Sequence, residues 1–375
     1  MLKVGITGQS GFIGTHLYNF LNQKKEEIIT LPFEDSYFEN EDKLKDFVTG
    51  CDAIVHLAAM NRHGDPQVIY DTNLRLVKHL IAIMEATGSR PHILFSSSTQ
   101  EERDNLYGKS KRDGRILFEQ WAARNNSDFT GFVIPNVFGP FGNPYYNSVI
   151  ATFCYQLTHN EQPKIMVDAN LQLIYVKELV ELFYQKIVAA NRVSGTVRVD
   201  VQYTSEIKVS EILLSLENYK SLYLDRHSFP ELNSVFELNL FNTFRSYIDH
   251  SSFYPVLLKK NTDQRGTFIE TTKSSLGGQF SYSTTLPGVT RGNHYHTRKI
   301  ERFIVIKGKA IIELRRIGTP DILRFELDGE QPSYVDMPIW YTHNITNVGD
   351  DELITLFWIN EFFNLDDPDT YFEKV

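Results

Sequence analysis

Cysteine is almost missing: Cys51 and Cys154 are the only two among 375 residues. Two thiols cannot build a disulfide framework, and their separation matches no metal-ligand spacing. Both read as core residues of a reducing compartment, which points to the cytoplasm. Long apolar runs are missing as well, since no stretch approaches the ~20 residues that a membrane-spanning helix needs. Positive charge is in deficit, with 38 Lys and Arg against 47 Asp and Glu and a formal net charge of -9. A nucleic-acid or anionic-membrane surface needs a basic footprint, so neither partner is expected. The opening segment Met1–Gly14 enters a strand at once and is broken by glycines, unlike a secretory signal. No internal repeat or low-complexity tract is visible.

What is present suits a globular protein: 42% hydrophobic and 23% charged residues, in a chain long enough for two cores. Up to residue 248, short apolar runs alternate with helical patterns. Leu2–Thr7, Ala53–Ala58 and His92–Ser97 read as strands, and Phe12–Gln23, Asp71–Thr87 and Ser110–Arg124 as helices. That alternation predicts a parallel, doubly wound Rossmann-type sheet. From residue 249 the grammar changes. Arg302–Ile306, Ala310–Leu314, Ile322–Leu327 and Leu353–Trp358 are short β-rich runs between turn residues. They predict an all-β sandwich or barrel. The expected domains are therefore 1–248 and 249–375.

Gly8, Gly11 and Gly14 form a glycine turn between the first strand and the first helix. Gly8 suits the tight turn, Gly11 lets a pyrophosphate approach backbone amides, and Gly14 lets the helix pack closely on the sheet. Ser96-Ser97-Ser98 ends a later strand, and Tyr107-Gly108-Lys109-Ser110-Lys111 follows it. Tyr107 and Lys111 are one helical turn apart and share a face. A lysine cation there is expected to favour the tyrosinate and lower the phenol's pKa. Tyr107 could then exchange a proton with a substrate oxygen, while Ser98 holds that oxygen by a hydrogen bond. His56, in an apolar strand, reads as a packed core histidine. Glu34 and Asp35 lie where an acid would bind a ribose 2′-hydroxyl, and Arg62 could meet a 2′-phosphate, so spacing leaves NAD and NADP both open.

In the second half, Gly288-x5-His294-x-His296-x4-Glu301-x6-Gly308 is followed by His343 in Pro338–Asn347. His294 and His296 are two apart on a strand and face one side. With Glu301 and His343 they make a complete set of ligands for one divalent metal, for which zinc is the choice, with iron, manganese or nickel also compatible. Arg265 and Arg291 would suit substrate phosphates, or could be surface ion pairs.

These motifs carry resemblances. The glycine turn, Asp52–Ala59, Asn73, the Ser98/Tyr107/Lys111 set, Pro135–Pro140 and Tyr175–Glu178 resemble the extended short-chain dehydrogenase/reductases over residues 1–245. That implies a nicotinamide cofactor held by Gly8, Gly11, Phe12, Ile13, Gly14, Leu57, Ala58, Asn73, Tyr107 and Lys111, with Ser98, Tyr107 and Lys111 catalytic. Two departures are visible: Val133 and Ile134 stand where an Arg is common, and Lys177-Glu178 where the usual acid falls. The histidine pattern resembles the cupins, with Trp340 in place of a usual Gly. Asp263–Glu270 and Pro287–His296 resemble the nucleotide-sugar 3,5-epimerases of the rhamnose pathway. With Asn147–Tyr155 and Pro368–Phe372 added, the whole chain resembles the capsular polysaccharide assembling proteins. That resemblance implies a bifunctional, homodimeric enzyme with a zinc cupin. The cupin would epimerise C3 of a UDP-4-keto-6-deoxy-N-acetylhexosamine, and the reductase would reduce C4 with NADPH, in the branch leading to UDP-N-acetyl-L-fucosamine. Two other readings are a monofunctional 4-keto reductase with a structural metal domain, and a nucleotide sensor. The intact Ser98, Tyr107 and Lys111 argue against the sensor.

Overall fold

The computed structural model describes residues 1–189, 195–263, 266–269, 271–274 and 277–375. In chain order the first half forms β1 (Leu2–Thr7), α1 (Phe12–Asn22), β2 (Ile28–Leu31), α2 (Glu41–Gly50), β3 (Ala53–His56), α3 (Pro66–Thr87), β4 (His92–Ser98), α4 (Leu106–Asn125) and β5 (Phe129–Ile134). One sheet has the order β2-β1-β3-β4-β5, with Thr196–Asp200 as its sixth strand, and every pairing in it is parallel. The strands are apolar on both faces. Val4, Val55, Leu94 and Phe132 pack on one side with Leu17 and Leu21 of α1. Ile54, Ile93, Phe95 and Phe129 pack on the other with Leu80 of α3 and Phe118 of α4. Such two-sided burial is what helices on both faces of a parallel sheet require.

Two helices begin earlier than the apolar pattern suggests, because polar caps start them. Asp65 caps α3 through the Gln67 amide at 2.9 Å, with Pro66 in the first turn. Asn105 caps α4 by accepting the Gly108 amide at 2.7 Å, which brings Tyr107 into the first turn. The third strand ends at His56, two residues before Ala58.

The second half forms two five-stranded sheets. One runs Val256–Leu257, Ser333–Met337, Glu301–Lys307, Leu353–Ile359, Gln279–Thr285; the other runs Ile322–Asp328, Lys309–Arg316, Tyr341–Asn347, Thr290–Tyr295, Tyr371–Phe372. All their pairings are antiparallel. Ile304, Val305, Ile312, Leu314, Val335, Met337 and Leu353 form the apolar core of this part. The fold class is therefore a Rossmann-like parallel sheet followed by an antiparallel β domain. Compactness divides the chain elsewhere than at 248/249: Met1–Thr152 with Val167–Val209 is one unit, and Phe153–Met166 with Ser210–Val375 the other. No helix among the described residues is long and apolar enough to cross a membrane.

Candidate functional site

The first site is built at the carboxyl ends of β1, β3 and β4, where an open α/β sheet binds its ligands. Gly8 has φ +70, and a Cβ on it would meet Ala58 Cα and N at 2.8 Å. At Gly14 a Cβ would lie 2.2 Å from Gly8 O. Only glycine fits either position, and the turn delivers Gly11 to the N-cap of α1. A cavity of about 980 Å³ opens there. Gly8, Gly11, Phe12, Ile13, Gly14, Leu57, Ala58, Ser98, Tyr107 and Lys111 all line it, as do Pro135–Gly139.

Asn73 is placed differently. It is buried and does not line the cavity. Its Oδ1 accepts the Met60 amide at 2.7 Å, and its Nδ2 donates to Ser110 Oγ at 3.0 Å. It ties the loop after β3 to α4, so it shapes the cavity wall from behind.

Lys111 is fully enclosed. Its Nζ donates to Ser96 O at 2.9 Å and stands 6.0 Å from the Tyr107 ring centroid. Burial pulls its pKa down to about 8, against an opposing pull from Glu101. Tyr107 goes the other way from the sequence expectation: burial, with a smaller contribution from Tyr146, pushes its phenol up to about 12. The lysine cation does not reverse this, since desolvation of a buried phenolate dominates. At neutral pH Tyr107 is thus a protonated donor. Ser98 Oγ accepts the Gln100 amide at 3.2 Å, which leaves its own proton to donate.

Sequence reasoning missed the group behind these residues. Glu101 is buried and takes three Arg115 bonds, Nε to Oε1 at 3.0 Å, Nε to Oε2 at 3.3 Å and Nη2 to Oε2 at 2.9 Å. It also accepts the Ser97 hydroxyl. Arg115 lies four residues past Lys111 on α4, a spacing that could have pointed to it. His56 is a core residue, 2.8 Å from Thr7 Oγ1 and held neutral by burial at about 3. Cys51 and Cys154 are free and buried, and burial pushes the Cys51 thiol up to about 12.

Of the residues weighed for the cofactor's ribose, Asp35 and Arg62 line the cavity and Glu34 does not. Asp35 accepts from Ser10 Oγ at 3.4 Å. Arg62 donates to the carbonyls of Tyr145 and Tyr146. Glu178 instead accepts the Tyr175 amide at 3.0 Å and caps the helix Val176–Val188.

The second site is the four-residue cluster. His294 comes from Thr290–Tyr295, His296 from just beyond it, Glu301 opens the next strand and His343 lies in Tyr341–Asn347. Their ligand atoms all lie within 4.8 Å of one another. Glu301 Oε2 is 3.0 Å from His296 Nε2 and 3.2 Å from His343 Nε2. His296 Nδ1 lies 2.6 Å from Asp369 O, and His343 Nδ1 lies 3.2 Å from Tyr341 O. A carbonyl only accepts, so both Nδ1 atoms carry protons and both Nε2 atoms are left for a metal.

Burial and the neighbouring imidazoles pull His294 down to about 4. Burial would raise the Glu301 carboxyl, but the His296 and His343 rings close beside it hold it well below the usual range. Burial would likewise lower His296, yet the Glu301 carboxylate raises it. Three imidazoles around one carboxylate make a donor set that fits a borderline divalent ion. Arg291 is exposed and donates to Thr284 O at 3.3 Å, while Arg265 lies outside the described residues.

Together these features define a domain with the glycine turn and cavity of a dinucleotide-binding fold, followed by a β domain whose His/Glu cluster could hold a metal ion. The NAD dependent epimerase/dehydratase family matches residues 4–197, and the polysaccharide biosynthesis C-terminal domain matches residues 261–371. A crystal structure described as capsular polysaccharide assembling protein CapF from Staphylococcus aureus is 35% identical, covers 100% of both chains and has a TM-score of 0.62. A curated relative from Pseudomonas aeruginosa is named UDP-2-acetamido-2,6-beta-L-arabino-hexul-4-ose reductase. It is 34% identical over 375 residues, 99% of this chain and 98% of its own. The structure of RMD from Pseudomonas aeruginosa complexed with NADPH is 21% identical over 59% of this chain and 83% of that one, with a TM-score of 0.52, and shows a shared fold only. The chain belongs to the NAD dependent epimerase/dehydratase family, in the branch that contains CapF. That membership implies a nicotinamide cofactor.

Proposed function

We propose that this chain is a bifunctional nucleotide-sugar enzyme of capsular or surface polysaccharide precursor synthesis. The β domain, read as a cupin, epimerises C3 of a UDP-4-keto-6-deoxy-N-acetylhexosamine. The first domain then reduces C4 with NADPH to UDP-2-acetamido-2,6-dideoxy-L-talose. The observation that carries this reading is the joint presence of both sites, each with its reactive groups gathered, in a chain matched end to end by a relative named as a 4-ulose reductase.

A nicotinamide cofactor held along this cavity would supply a hydride to C4. The carbonyl oxygen must gain a proton at the same time, and Tyr107, protonated at neutral pH, delivers it as general acid. Ser98 donates a hydrogen bond to that oxygen and fixes its position. Lys111, tied to Ser96 O, keeps a positive charge beside the phenol as its proton leaves. The Gly8–Gly14 turn and the α1 N-terminus receive the pyrophosphate.

In the β domain His294, His296, Glu301 and His343 would hold the metal, proposed to be zinc, which supplies Lewis-acid polarisation of the keto oxygen. Inversion at C3 needs one proton removed from one face and one returned to the other. His294 is the most open of the four residues. A homodimer and a cytoplasmic location belong to the same proposal.

A second reading has one observation in its favour: three of the four ligands are buried, as in a structural metal site. The protein would then be a monofunctional reductase. Product NMR after turnover with NADPH and the 4-keto substrate in heavy water separates the two. Reduced product with deuterium at C3 supports the bifunctional enzyme. Hydrogen at C3 leaves the reductase alone.

A further inference from the structure

The segment Asp369–Val375 gives no ligand to the four-residue cluster, yet it is fastened to the strands and the loop that carry the ligands. Asp369 is buried, and its carboxylate accepts three consecutive backbone amides. These come from Thr297 at 3.1 Å, Arg298 at 2.9 Å and Lys299 at 2.9 Å. The Thr297 hydroxyl adds a fourth bond at 2.6 Å. Those residues are the loop between His296 and Glu301. Three successive amides turned to one point form an anion-binding nest, and here a side chain of the same protein fills it. The backbone carbonyl of Asp369 accepts His296 Nδ1 at 2.6 Å. Its φ of 40 lies in the left-handed region, which a non-glycine residue adopts at a cost. In that conformation one residue offers both its carboxylate and its carbonyl to the loop.

The following residues continue the grip. Tyr371 and Phe372 pair with Tyr295 and His294. Glu373 N donates to Asn293 O at 3.0 Å. The Thr342 hydroxyl, beside His343, donates to Glu373 O. The segment therefore touches His294 and His296 directly and the immediate neighbour of His343.

We propose that Asp369 is a positioning residue for the metal. It latches the loop between His296 and Glu301 and sets the His296 ring, so that the segment 369–375 governs how long the ion is held. This rests on the reading of the cluster as a metal centre. Partners of metal-ligating imidazoles typically alter metal affinity by about 10–100-fold, and Asp369 holds both the imidazole and its loop.

The test uses the full-length protein loaded with zinc(II), with release followed by a chromogenic chelator. Cobalt(II) loading reports ligand geometry through its visible absorption. Asp369→Ala is expected to speed zinc release by about 10–100-fold and to alter the cobalt band. Asp369→Asn keeps an acceptor oxygen, so both readouts should return part of the way to wild type. A latch that served only the fold would leave the cobalt band unchanged. If Asp369→Ala does not fold, Thr297→Val removes one of the four bonds and must still speed release. A folded Asp369→Ala protein with wild-type release and an unchanged cobalt band overturns the proposal. A wild-type protein that takes up neither metal overturns the metal reading itself, before any variant is made.

Discussion

The sharpest consequence of the first site's geometry concerns a residue with no side chain. Gly108 follows Tyr107 in the first turn of α4, and a Cβ added there would lie 1.9 Å from Gln100 O and 2.6 Å from Gln100 C. Carbon–oxygen contacts settle near 3.3 Å or beyond, so Gly108→Ala forces one partner back by about 1 Å or more. The turn Thr99–Glu102 resists retreat. Ser98 Oγ accepts the Gln100 amide at 3.2 Å, and Glu101 is pinned by Arg115 at 2.9 Å. The start of α4 moves instead and carries Tyr107 with it. Overpacking of this kind costs about 1–3 kcal/mol of stability, and a displacement of ~1 Å in a reacting group costs about 100-fold in rate. The assay is NADPH oxidation with the 4-keto sugar nucleotide, beside thermal melts and cofactor titration. A folded variant that binds cofactor but loses about 100-fold in kcat/KM supports the argument. Activity within twofold of wild type, at an unchanged Tm, would refute it.

Four further outcomes are expected. Tyr107→Phe should bind cofactor normally and lose about 100-fold to 10,000-fold in C4 reduction; retained turnover would remove Tyr107 as the acid. Lys111, with its pKa pulled down to about 8 by burial, loses its proton as pH rises through that value. The reduction rate should therefore decline on the alkaline side, and Lys111→Met should show no such limb. The stability sign is opposite: the buried cation is a penalty below pH 8 that fades as pH climbs towards the ordinary 10.5. A Lys111→Met protein should then gain stability over wild type at pH 7 and lose that advantage at high pH. In the β domain Arg302 and Asp336 form a buried pair, Nε to Oδ1 at 2.6 Å and Nη2 to Oδ2 at 2.9 Å. Asp336→Ala should cost about 3–5 kcal/mol by denaturant melts, and the joint change Arg302→Met with Asp336→Leu much less. Equal costs for the two would contradict the strandedness of Arg302.

How far these sites are legible in the sequence follows from how local their causes are. The glycine turn and the His294/His296/Glu301 pattern are set by neighbours in the chain, so spacing announces them. The start of α4 is nearly as local, but it hangs on the Asn105 cap rather than on apolar period, so the pattern alone begins the helix at Ser110, past Tyr107. The acidity of Tyr107 is not local at all. Counting a lysine one turn away predicts a lowered pKa, whereas enclosure of the phenol, a property of the folded cavity, raises it. Asn73 is visible as an Asn on a helix, yet only the fold reveals that its side chain joins Met60 to Ser110.

Asp369 marks the limit. Its bonds to Thr297 and His296 cross 72 and 73 residues of sequence, and in the sequence Pro368–Phe372 enters only as part of a resemblance. The compact units show the same effect on a larger scale. Composition changes at residue 248, but Phe153–Met166 and the stretch from Ser210 onward group with the β strands by contact. Hydrophobic period reports what a segment buries. It does not report against which partner. Pairing across long separations is the information that a single sequence leaves out, and the bonds between Asp369 and the loop Thr297–Lys299 are of that kind.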